Sequence, residues 1–205
     1  MVTLVALLSL SLTGCTSKQT QSLVQPSQAL GTVLAEETIR AAGPKKQIAI
    51  ISPDANWGPA SEAEDSFKSA LKKQGYSAVA AKSANLGDPM QSGPVGLKSA
   101  DFFEVLEKFP DAGAIVSFGG LPLWKPGDAT RLLPDHPPVL VVATAMLGKV
   151  PGVPTDRMQL ASSLDTKTIQ LAIIDGAEPD ARMAGKTDAS HELFSQNYRI
   201  LRRPE

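Results

Sequence analysis

From Lys45 onward, short apolar runs alternate with amphipathic stretches, and that alternation predicts βαβ units laid on a parallel sheet. Gln47 to Ser52 (QIAIIS) is continuously apolar and rich in β-branched residues, the pattern of a strand covered on both faces. Ser61 and Glu64 then suggest a capping box, and Ala63, Phe67, Ala70 and Leu71 fall on one helical face that Gly75 closes. Tyr76 to Ala81 is a second strand. Phe102, Val105, Leu106 and Phe109, spaced by three and four, mark a second helix that Pro110 ends.

Ala114 to Phe118 (AIVSF) predicts the third strand, broken by Gly119 and Gly120. Pro126 and Pro134 leave room for only a short helix between Gly127 and Leu133, and Val139 to Thr144 (VLVVAT) is a fourth buried strand. Met158 to Ser162 and Ile169 to Asp175 are expected as further strands, with Tyr198 to Leu201 at an edge. The sum is a three-layer Rossmann-like α/β domain with a mainly parallel sheet, a single lobe covering residues 45–205.

The region before Lys45 follows a different pattern. Val2 to Leu12 (VTLVALLSLSL) is an uncharged apolar run, too short for a membrane span of roughly 20 residues and of the right length for a signal-peptide core. Leu12-Thr13-Gly14-Cys15 directly follows it and resembles the bacterial lipobox. That resemblance implies a signal peptide over residues 1–14, cleavage, and an acylated Cys15 at the new N-terminus holding the protein to a membrane and facing the periplasm. Thr16, where sorting signals of such lipoproteins would place Asp for inner-membrane retention, implies the outer membrane. Residues 16–28 (TSKQTQSLVQPSQ) are polar, Leu34 to Ala41 weakly helical, and Gly43-Pro44 a stop, so residues 15–44 are expected to be a lipidated tether and linker. Cys15 is the only cysteine, which leaves the domain to be held by its core without a disulfide.

Composition narrows the partners. Lys and Arg number 20 against 21 Asp and Glu, a net charge of -1 with both signs interspersed, and aromatic residues make up 5% of the chain. Neither a basic footprint nor a stacking surface for nucleic acid is present. At 42% hydrophobic and 20% charged residues, wholesale disorder, collagen and polytopic membrane classes are excluded.

In an open parallel sheet, ligands bind outside the carboxyl ends of the strands. The sequence delivers Asp54, Asn56 and Trp57 after the first strand, Gly119 and Gly120 after the third, and Thr144 after the fourth. Hydrogen-bonding groups beside a flat apolar wall suit a small polar solute such as a sugar. The same Asp54 to Trp57 segment also suits an Asx-turn with Trp57 packed beneath the linker.

The succession QIAIISPDANWGP, helix, YSAVAA, helix, AIVSFGG, short helix, PVLVVAT resembles the type I periplasmic binding proteins, the fold of ribose-binding proteins and lactose-repressor-like sensors. It spans residues 46–165. The resemblance implies that the loop after the first strand meets the ligand, through Asp54, Asn56 and Trp57. It also implies that Ser117 and Gly119 of AIVSFGG stand at a ligand-facing turn. Members of that family close two lobes on a solute, whereas about 40 residues follow Asp165. A lone lobe implies a weak solute binder, a domain docking an envelope protein, or a remnant of the fold.

The same strand ends carry none of the common enzyme signatures. There is no G-x-S-x-G elbow, no Walker A loop and no G-x-G-x-x-G after a strand. A phosphoryl-receiver site would need an Asp where Ser117 stands, although Thr144 fits its fourth strand. His136 and His191 have no metal-spaced partners and are expected as solvated loop residues, and Lys72-Lys73 and Arg202-Arg203 as solvated charges. The expectation is a non-enzymatic binding or scaffold module with no cofactor, no metal and no catalytic set. The alternative is an α/β hydrolase-type envelope enzyme using Asp54 with His136 or another residue brought near by folding.

Overall fold

The computed structural model describes residues 18–54, 59–87, 95–144, 157–176 and 188–202. Its elements are α1 (Lys18–Ala42), β1 (Gln47–Pro53), α2 (Pro59–Lys73), β2 (Ser77–Ala84), α3 (Ser99–Lys108), β3 (Ala114–Ser117), a 3-10 turn (Asp128–Arg131), β4 (Val139–Ala143), α4 (Arg157–Asp165), β5 (Leu171–Asp175), α5 (Ala189–Asn197) and β6 (Tyr198–Arg202). The strands form one sheet in the order β2-β1-β3-β4-β5-β6. All pairs are parallel except β5 with β6, which is antiparallel and pairs Asp175 with Tyr198 at one end and Leu171 with Arg202 at the other. The predicted three-layer α/β class is the observed one.

Successive residues of each strand point to opposite faces, so both faces must be covered. Leu140 and Val142 of β4 join Ile48, Ile50, Val116, Leu30, Leu34, Phe67 and Phe194 in a core beneath α1, α2 and α5. Val139, Val141 and Ala143 turn the other way and pack with Ile51, Ile115, Phe102, Leu160 and Leu164 beneath α3 and α4. An edge-to-face contact between Phe67 and Phe118, with centroids 5.5 Å apart, locks α2 onto the first face.

Several expectations change. Residues 18–42, read as tether, form the 25-residue helix α1, and Ala29, Leu30, Val33, Leu34 and Ala35 lie in the core. Much of its buried face is Ala, Gly, Ser and Thr, which is why it resembles a linker in sequence. Small residues let α1 approach α2 closely: a Cβ on Gly31 would stand 2.1 Å from the Ala63 carbonyl oxygen. Thr38 hides its hydroxyl by donating to the Leu34 carbonyl at 2.7 Å. Met158 to Ser162 is helical rather than extended, because Leu160 and Leu164, four apart, share the buried face while Met158 is 80% exposed. The expected capping box does not form: α2 already starts at Pro59, a residue suited to a first helical turn.

His191 is not a solvated loop residue. It is buried on α5, with Nδ1 2.6 Å from Asp188 Oδ2 and Nε2 3.1 Å from Glu36 Oε2 on α1. Asp188 also caps α5, accepting from the Ser190 and His191 amides at 2.9 and 3.0 Å. The His191 amide above all holds the Asp188 carboxyl below its usual range. Arg202, expected in solvent, has a side chain only 17% exposed and pairs at 2.8 Å with Glu37, buried on α1. Tyr198 lies against Phe194, and burial pushes its phenol up to about 12 despite a hydrogen bond with Ser27 of α1. The first helix is thus joined to the last helix and last strand by packing and polar contacts.

Gly31→Ala is expected to destabilise the protein by about 1–3 kcal/mol, the usual cost of forcing extra volume into a packed contact. Urea unfolding followed by circular dichroism measures it, and an unchanged midpoint would contradict the packing of α1 on α2.

Candidate functional site

The change of direction in strand order falls between β1 and β3, where an open α/β sheet leaves a crevice at its carboxyl edge. Two backbone bonds bring the predicted segments to this edge. The Phe118 amide donates to the Ile51 carbonyl at 2.9 Å, zipping β3 to β1, and the Asp54 amide donates to the Ala84 carbonyl at 2.9 Å, tying the loop after β1 to the end of β2. Asp54 itself is exposed. Asn56 and Trp57, together with Cys15, lie outside the described residues.

The turn after β3 is closed over. Ser117 is fully buried and its hydroxyl donates to the Gly120 carbonyl at 2.8 Å, which holds the turn shut. Gly120 adopts a φ of 81°, the left-handed conformation that glycine takes without a side-chain penalty. Gly119 is covered by neighbours: a Cβ there would stand 3.3 Å from Leu86 Cδ2 and 3.7 Å from Leu97 Cβ. The segment carrying Leu97 is pinned in place, with the Gly96 amide donating to Leu86 and the Leu123 amide to Leu97, both at 2.7 Å. The glycines therefore give this segment room to pack, in place of the open ligand-facing turn that the resemblance implied.

Thr144 occupies the end of β4, on the face where Leu140 and Val142 meet α1 and α2. It is 2% exposed, and its hydroxyl has no hydrogen-bond partner among the described residues. Buried hydroxyls are ordinarily satisfied, so an unpaired one at the edge where this architecture binds ligands marks a place for a polar partner. Beside the reversal of strand order, the described carboxyl edge thus offers an exposed carboxylate at Asp54 and a buried unpaired hydroxyl at Thr144, while Asp175 adds a second exposed carboxylate further along, at the end of β5.

Sequence reasoning missed Ser52 and Glu64. The Ser52 hydroxyl donates to Glu64 Oε1 at 2.8 Å, and Glu64, buried under α2, also pairs with Lys68. A signal was available: Glu64, Phe67 and Leu71 follow the three-and-four spacing that places them on one face, so a carboxylate had to be buried with the phenyl ring. Asp54 and His136 are not brought together. Asp54 follows the carboxyl end of β1, whereas His136 precedes the amino end of β4, and the strands are parallel. Among the described residues, no group of three or more His, Cys, Asp or Glu could hold a metal ion.

No protein-family model matches the chain, and no curated protein matches it. Solved structures do. GanP, a glucose-galactose binding protein from Geobacillus stearothermophilus, superposes with a TM-score of 0.52 at 12% identity, over 86% of this chain and 60% of that one. A periplasmic ribose ABC transporter protein from Conexibacter woesei gives 0.46 at 12% identity, over 82% and 47%. A carbohydrate transporter solute binding protein from Agrobacterium radiobacter, solved with D-arabinose, gives 0.47 at 14% identity, over 91% and 60%. The superposition on GanP shows the chain to have the fold of a single lobe of a type I periplasmic binding protein. The chain spans about half to three-fifths of the length of these structures.

Two substitutions separate the satisfied hydroxyl from the unsatisfied one. Ser117→Ala strands the buried Gly120 carbonyl and should cost about 1–3 kcal/mol, whereas Thr144→Val removes an unpaired hydroxyl and should leave thermal stability unchanged or higher. Calorimetric melting of both variants checks this. A large loss in Thr144→Val would mean that its hydroxyl is bonded in the free protein.

Proposed function

We propose that this lobe is a non-enzymatic binding or scaffold module of the bacterial envelope, taking a small polar solute at the carboxyl edge of β1, β3 and β4. The observation that carries the reading is the Thr144 hydroxyl, buried without a partner where this architecture binds ligands. A solute hydroxyl or carbonyl arriving there completes a hydrogen bond that the free protein lacks. Asp54 supplies an acceptor, and Asn56 and Trp57, two and three residues further along the sequence, bring an amide and an aromatic ring of the chemistry such a solute takes. The fold shared with sugar-binding proteins supports the same class of ligand.

A single lobe leaves part of the ligand in water. Good small-molecule sites bury roughly 70–90% of their ligand, so the affinity of this lobe by itself is set by one wall. The lipobox-like Leu12-Thr13-Gly14-Cys15 supports anchoring of the module through Cys15 on the periplasmic side of a membrane, and Thr16 supports the outer membrane. Acylation at sulfur and at the new amine provides more than the two signals needed for stable anchoring.

Titrating pentoses and hexoses against intrinsic fluorescence should give saturation at about high micromolar concentrations or weaker. The response should be lost in Asn56→Ala and in Thr144→Val. No response to any sugar, or one indifferent to both substitutions, would show the edge to be structural. For the anchor, cells fed labelled palmitate should label the wild-type protein and not Cys15→Ser. Equal labelling of the two, or labelling of neither, counts against acylation at Cys15.

A further inference from the structure

A cavity of about 550 Å³ opens at the opposite end of the sheet, where β4 and β5 begin and β6 ends. Its volume lies within the roughly 300–1,000 Å³ of small-molecule sites. Among the described residues, the charged groups lining it are Arg40 and Glu37 from the last turns of α1, Lys167 from the turn before β5, and Arg202 from β6. Three cations against one anion leave a formal excess of two positive charges. His136 and Pro134, from the loop before β4, form the facing wall.

The cations are positioned. Glu37 is 5% exposed and pairs with both guanidiniums, meeting Arg202 at 2.8 Å from one side and Arg40 from the other. That carboxylate orients two planar forks that match an oxyanion's geometry. Lys167 has a φ of 63°, the left-handed conformation that glycine ordinarily supplies just after a helix. A lysine there places a cation at the cavity, and no described residue forms an ion pair with its ammonium. His136 Nδ1 lies 2.8 Å from the Pro137 carbonyl, which holds its ring in the wall.

We propose that this cavity binds a phosphate monoester. Such a group carries close to two negative charges near neutral pH and three acceptor oxygens, matching both the excess charge and the donor chemistry. A monocarboxylate would leave one charge unbalanced, and a neutral sugar both. The phosphate comes from a soluble metabolite or from a lipid headgroup such as phosphatidic acid. This site is separate from the carboxyl edge, and its success or failure leaves the solute reading untouched.

The test is calorimetric titration of the full chain with glycerol 3-phosphate at fixed ionic strength, with glycerol as control, beside co-sedimentation with phosphatidylcholine vesicles containing or lacking phosphatidic acid. Binding to the soluble ester, or only to vesicles with phosphatidic acid, is expected and tells the two sources apart. Arg40→Gln and Lys167→Asn should each weaken it at least tenfold. Asn tolerates the left-handed backbone, and Arg40→Gln leaves Glu37 paired with Arg202, so both variants keep the fold. Lys72→Gln, elsewhere on the surface, should change nothing. Absence of binding in both arms, or binding that Lys72→Gln weakens as much as Lys167→Asn does, overturns the proposal.

Discussion

A parallel sheet has two apolar faces, and the inner strands β1, β3, β4 and β5 are apolar on both, so the lobe exists only if helices cover each side. On the α3 and α4 side, the crossover helices suffice. On the other side, α2 and α5 cover only part of the strands, and α1 fills the space between them with Leu30, Val33 and Leu34. The approach of α1 to α2 at Gly31 brings this helix low enough to reach Ile48, Val116 and Leu140. Much of the remaining architecture follows from that contact, including the seam to α5 and β6.

The seam is polar where it leaves the core. His191 lies between Asp188 and Glu36, Arg202 reaches Glu37, and Tyr198 meets Ser27, so three contacts join segments more than 150 residues apart in the chain. Burying such groups is favourable only when each finds its partner, because a stranded buried charge costs several kcal/mol. These contacts therefore specify how the two ends of the chain meet more than they add net stability. They also fix Glu37, around which the cations of the amino-edge cavity are arranged.

The two ends of the sheet carry different chemistry for a simple geometric reason. Parallel strands send all their following loops to one edge and all their preceding loops to the other. The carboxyl edge receives Asp54, the sealed Ser117 to Gly120 turn and Thr144, which are weakly charged hydrogen-bonding groups. The amino edge receives the end of α1, the proline-rich loop around His136 and the turn at Lys167, which gather positive charge. A neutral polar solute and an anionic one thus have separate places on the same scaffold.

The succession of the first four strands along the chain, the burial of the first and fourth on both faces, and the edge to which Asp54, Ser117, Gly119, Gly120 and Thr144 go were legible in the sequence, because each depends on local apolar runs and on the direction imposed by βαβ connections. The role of α1 was not legible: its face of small residues has a linker's composition and becomes a core face only when α2 approaches. Met158 to Ser162 misled because a short apolar stretch does not reveal its period until Leu160 and Leu164 have something to pack against. Whether Gly119 faced solvent or Leu86, whether Thr144 found a partner, and that His191 and Arg202 were held by α1 depend on groups distant in sequence. Only the packed chain brings those groups within the few ångströms over which hydrogen bonds and van der Waals contacts act.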